Sequence, residues 1–133
     1  MSMANWIVAA LKCGLVSGAT LMVLATAAPM ASAKPDVPPV PAEFGKGEAK
    51  FKANCARCHG ERGVGTSQGP PLVHKIYEPN HHGDPAFQRA AANGVRAHHW
   101  QFGDMPRIDG VTPDDVEQIV KYVRWLQRQA GIM

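Results

Sequence analysis

The chain has 133 residues, 14 of them Lys or Arg and 11 Asp or Glu, for a net charge of +3. That length bounds it at one domain. A near-neutral balance with no basic run argues against nucleic acid or an acidic membrane surface as its partner.

Residues 1–33 carry Lys12 as their only charge, and small or apolar residues fill Cys13 to Ala28. Ala31-Ser32-Ala33 then offers the small residues that a signal peptidase needs, so residues 1–33 read as a cleaved secretory signal peptide. The competing reading is a retained anchor, because residues 6–28 come close to the roughly 20 apolar residues that span a bilayer. Membrane association is expected only if that segment is retained. Either way the folded part is expected outside the cytoplasm, in the periplasm. Cleavage removes Lys12, lowering the charge to +2, and also Cys13, so that Cys55 and Cys58 remain as an isolated pair. Residues 34–41, KPDVPPVP, read as an extended, polyproline-like spacer.

A first helix is expected over about 42–54. Phe51 and Cys55 share its face, being four residues apart. Gly47 in its interior costs roughly 1 kcal/mol against alanine and so suggests the close crossing of another helix. Residues 60–83, rich in Gly and Pro, read as loop with at most a short helical turn, a length that needs something to wrap around. A second helix starts at Asp84 as N-cap with Pro85 in the first helical position, lines one face with Phe87, Ala90 and Ala91, and ends at Asn93-Gly94. The last helix is capped by Thr112 and opened by Pro113. Asp114 and Asp115 sit at its positive end. Val116, Ile119, Val120, Val123 and Leu126 form its apolar stripe, with Tyr122 and Trp125 alongside. No segment alternates as a strand, so the class is all-α, in one domain over 42–131.

NCARCHG, residues 54–60, carries the chemistry. A structural zinc site needs four ligands, usually from two cysteine pairs, and there is no second pair, although histidines elsewhere leave that reading open. A thioredoxin-like redox pair belongs in a βαβ context. The third reading is covalent haem attachment, for which C-x-x-C-H is the pattern. Cys55 and Cys58 lie one helical turn apart, in reach of two vinyl groups on one porphyrin edge, and His59 follows as the proximal iron ligand. Met133 is terminal, which leaves Met105, in FGDMP, as the soft donor for the sixth position; the alternative for a lone loop methionine is packing. A His/Met pair raises the reduction potential and leaves no open position, which favours electron transfer over substrate chemistry.

Together these residues resemble the class I c-type cytochromes, the small bacterial monohaem kind, over residues 43–129. The resemblance rests on CARCH at 55–59, Gly47 and Phe51 before it, GPPL at 69–72, GDMP at 103–106 and YVRWL at 122–126. It implies three to five helices wrapped around one covalently bound haem c. The first and last helices cross near Gly47, with Phe51 against Tyr122 or Trp125. It further implies that the Pro70 carbonyl accepts a hydrogen bond from His59, that Leu72 packs on the haem, and that Tyr77 and Trp100 are candidates for propionate contact, ordinary packing being their alternative. The implied function is a non-enzymatic periplasmic shuttle of single electrons between larger redox proteins, soluble or membrane-bound, as donor and acceptor. Rival readings are the electron-accepting subunit of a periplasmic dehydrogenase, a peroxidase-like enzyme, or a haem sensor or metal-binding protein that uses the other histidines.

Those histidines, His74, His81, His82, His98 and His99, depart from the family's usual pattern. They are solvated loop residues, or an accessory copper, zinc or nickel site, or the source of a replacement for Met105 on iron. Histidine as a residue type changes charge near neutral pH, so such a group can also make docking or potential pH-sensitive.

Overall fold

The computed structural model describes residues 38–133. The expected signal peptide, and the spacer up to residue 37, lie outside the described residues. At the end of the spacer, Pro41 keeps polyproline-like angles (φ −58°, ψ 147°). A 3-10 turn, Ala42–Phe44, leads into α1, Gly45–Asn54. A one-turn helix α2, Ala56–His59, follows. The loop after it holds two further 3-10 turns, Glu61–Gly63 and Lys75–Tyr77, before α3, Asp84–Asn93, and α4, Pro113–Gln129. Among the described residues there is no strand, only an isolated antiparallel bridge between Val95 and Met105. The all-α expectation holds, and no helix of these residues is long and apolar enough to cross a membrane.

The organising contact is the crossing of α1 over α4. A Cβ built on Gly47 would stand 2.8 Å from the Tyr122 Cβ and press into the Gln118 backbone carbonyl, so only glycine lets the two helices approach this closely. One turn further along α1, Phe51 is fully buried with its ring 5.6 Å from that of Tyr122. Phe44 stacks on Trp125 at 5.7 Å. Ile119, Val123 and Leu126 complete the core with Leu72 from the loop. Burying each such side chain contributes about 1.5–3 kcal/mol. The expected crossing and its Phe51 contact are therefore both present.

The start of α4 is as the sequence suggests, with one addition. Thr112 Oγ1 accepts from the Asp115 N–H at 3.2 Å, while the Asp115 carboxylate accepts from the Thr112 N–H at 3.2 Å, a reciprocal capping box. The start of α3 differs. Its N-cap is Gly83, and Asp84 is already in the helix. The Asp84 carboxylate turns away from the cap to accept from Arg124 Nε at 2.8 Å. The ion pair wins because Arg124 is buried in α4 and needs a counter-charge.

Candidate functional site

The site is built on the α1–α2 junction. Cys55 ends α1 by donating its N–H to the Phe51 carbonyl at 2.8 Å. Its own carbonyl then accepts from the N–H groups of Cys58 (3.2 Å) and His59 (3.0 Å). The two cysteines thus begin and close a single turn, and the next residue is the histidine. The freed carbonyls at the end of this short helix are satisfied by the following loop. Thr66 Oγ1 donates to the Cys58 carbonyl at 2.6 Å and the Gly65 N–H donates to that of His59 at 2.6 Å.

His59 is oriented from the loop side. Its Nδ1–H donates to the Pro70 carbonyl at 2.8 Å. A carbonyl can only accept, so this contact assigns the proton to Nδ1 and leaves Nε2 with its lone pair. Burial lowers the His59 pKa below the ordinary imidazole value, and the Pro70 hydrogen bond opposes that shift. The Cys55 thiol is pushed up to about 11, mainly by burial and secondarily by the neighbouring Cys58. That is opposite to the activated, low-pKa thiolate of a dithiol oxidoreductase. With the all-α class, it disposes of the thioredoxin-like reading.

A cavity of about 500 Å³ opens beside His59. His59, Pro70, Tyr77, Trp100 and Met105 all lie on its wall, with Phe87 and Ala90 of α3 between them. Leu72 is buried in the core, and Cys55 packs against the same core. Met105 is held by its backbone, which exchanges two 2.9 Å hydrogen bonds with Val95. Gly94 makes room for that bridge. It has φ +76°, and a Cβ there would come within 2.5 Å of the Met105 carbonyl. Trp100 Nε1 is buried without a hydrogen-bond partner. The Tyr77 hydroxyl has its pKa raised by burial and partly brought back by the Trp100 side chain.

The loop carrying Tyr77 is pinned by a pair of polar residues that sequence reading passed over. Arg124 and Gln127 stand on the apolar side of α4, 6% and 0% exposed. Arg124 donates to the carbonyls of Tyr77 and His82, at 2.6 Å each, and to Gln127 Oε1 at 2.7 Å. Gln127 Nε2 donates to the carbonyls of Leu72 (2.8 Å) and Tyr77 (3.0 Å). The guanidinium also lies 5.0 Å over the Phe87 ring. The available signal was position: Arg124 follows Val120 by four residues and therefore falls on the buried stripe.

The further histidines divide. His74 stands apart, its Nδ1 accepting from the Ile76 N–H at 3.2 Å and its ring edge-on to Trp100. His81, His82, His98 and His99 come together from two separate loops, and His82, His98 and His99 also reach the cavity wall. His99 has its pKa lowered, first by desolvation and then by His98, His82 and His81.

The residues present fit a haem: an apolar-sided cavity, a neutral imidazole with its proton on the far nitrogen, a thioether sulfur on the same cavity wall, an unpaired indole N–H, and two thiols on the turn that leads into that imidazole. No curated protein and no solved structure matches the chain. A family profile described as Cytochrome c matches residues 44–127, from the last residue of the first 3-10 turn to Gln127 of α4. The chain belongs to the cytochrome c family, whose covalently attached haem c answers to the Cys55–Cys58–His59 turn.

Proposed function

We propose that this haem-containing electron-transfer protein is a periplasmic shuttle, with His59 and Met105 as its two axial iron ligands and no reaction of its own to catalyse. Cys55 and Cys58 would hold haem c through two thioethers. When bound, that group supplies a one-electron iron couple.

The observation that carries the reading is the pairing of His59 and Met105 on the wall of one cavity. The Pro70 carbonyl keeps the proton of His59 on Nδ1, so Nε2 is the donor. The bridge to Val95 fixes the backbone at Met105, so the thioether comes from a braced segment rather than a free loop. Phe87, Ala90 and Trp100 keep the surroundings apolar. An apolar, fully ligated site of this kind suits electron exchange and excludes water and substrate. Export by the residues 1–33 leader, and partners among larger periplasmic or membrane-bound redox proteins, complete the proposal.

The test is spectroscopic. The oxidised protein is expected to show the weak near-infrared iron–methionine band and a positive midpoint potential. Met105→Ala should lose the band, drop in potential and bind carbon monoxide. A wild-type protein that lacks the band and takes up cyanide or carbon monoxide readily would remove Met105 from the iron.

A further inference from the structure

The four histidines at the cavity rim are an unusual local concentration of one ligand type. His81 and His82 precede α3, and His98 and His99 follow it. The two loops nevertheless meet, with ring centroids 5.1 Å apart for His81 and His99 and 5.2 Å for His82 and His99. One ring nitrogen from each of His81, His82 and His99 lies within 4.8 Å of the others. The closest pair, Nε2 of His81 and Nε2 of His99, is 3.2 Å apart. Two imidazole nitrogens bound to one tetrahedral ion at about 2.0–2.1 Å stand about 3.3 Å from each other, so this pair already has the spacing of two ligands on one ion.

The surroundings prepare the other rings in the same sense. His82 Nδ1–H donates to the Ile76 carbonyl at 2.6 Å, and His98 Nδ1–H donates to the Arg96 carbonyl at 2.8 Å. Each contact places the proton on Nδ1 and leaves Nε2 as a lone-pair donor, the arrangement that orients metal-binding histidines. The loops are braced as well. His81 and His82 donate their N–H groups to the Glu78 carbonyl, Arg124 holds the His82 carbonyl, and Asp104 Oδ1 accepts from the Ala97 N–H at 2.8 Å. The donor set, His81, His82 and His99, contains no carboxylate. Calcium and magnesium, which need oxygen ligands, are therefore excluded, and the all-imidazole set selects the copper–zinc end of the first row.

We propose that His81, His82 and His99 form an accessory site for a single divalent ion of the copper–zinc class, with His98 packed beside it. It uses none of the residues that the electron-shuttle reading assigns to iron, so the two stand or fall separately. His82 and His99 also line the cavity, so a bound ion would place its charge at the cavity's edge.

The test is calorimetric titration of the haem-loaded protein with Zn2+ and with Cu2+, together with electron paramagnetic resonance of the copper form. One ion per chain is expected, with Cu2+ tighter than Zn2+, and a copper spectrum showing coupling to several nitrogens. The exposed pair His81→Gln/His99→Gln should weaken both ions by about 100-fold or more. His74→Gln, outside the cluster, should leave binding unchanged. An unchanged far-ultraviolet circular dichroism spectrum in each variant shows that the fold is retained. No heat at micromolar metal overturns the site, as does affinity that survives the double substitution or a copper spectrum without nitrogen coupling.

Discussion

Replacing Gly47 by alanine sets two well-measured effects against each other. In an ordinary helix the change stabilises by about 1 kcal/mol, through backbone entropy alone. Here the new methyl group would stand 2.8 Å from Tyr122 Cβ and 2.9 Å from the Gln118 carbonyl carbon, against the 3.4–4 Å of ordinary contact. Neither obstacle can rotate away, since one is backbone and the other a Cβ on a fully buried residue. The helices must separate at their crossing, loosening the Phe51–Tyr122 contact. Overpacking of this kind costs about 1–3 kcal/mol. With both neighbours immovable the upper end applies, leaving a net loss of about 2 kcal/mol after the propensity gain of about 1 kcal/mol. Denaturant unfolding of the haem-loaded protein, followed by far-ultraviolet circular dichroism, measures it. Gly45→Ala is the control, because nothing lies within 4 Å of a Cβ there; it should be neutral or gain up to about 1 kcal/mol. If Gly47→Ala proves as stable as Gly45→Ala, the close helix crossing is not what glycine is for.

Two further outcomes follow from polar contacts. Arg124→Met should cost about 2–3 kcal/mol, because the Tyr77 and His82 carbonyls lose a charged donor while the exposed Asp84 can rehydrate. Amide hydrogen exchange over residues 75–82 should rise with it, and unchanged exchange there would mean that the loop is held by something else. Asp115 has its pKa lowered, chiefly by its hydrogen bond from Lys50 and then by those from Thr112. A depressed folded-state value means that its contribution is full above the unfolded value of 3.8 and is lost as pH falls through the lower folded value. The melting temperature of Asp115→Asn should therefore trail the wild type by a steady margin near neutral pH, and the gap should close only below about pH 4. A gap that persists undiminished near pH 2 would count against this cause.

Much of the protein could be read from short-range patterns. The Cys55–Cys58–His59 spacing is one helical turn whatever surrounds it, and it carried the cofactor with it. Thr112 and Pro113 announce the start of α4 because capping is settled within four residues. Gly47 pointed to a helix crossing because a glycine inside a helix needs a steric reason. The hydrogen bond from His59 to Pro70 is the one the family resemblance implied. Met105, singled out as the one non-terminal methionine after residue 33, lies on the cavity wall, and Leu72 is buried in the core. What sequence missed lay in longer contacts. Asp84 looked like a cap because its local context favours one; Arg124, forty residues later, took its carboxylate. Position alone put Arg124 on the buried stripe, but no local rule could name the partners of its guanidinium, the loop carbonyls of Tyr77 and His82. The histidines could be counted but not grouped, since His82 and His99 meet only after α3 has carried the chain between two loops. Local rules govern the conformation of neighbouring residues, because their geometry is limited by the bonds that join them. Which distant polar groups meet in a low-dielectric interior is decided only when the helices pack.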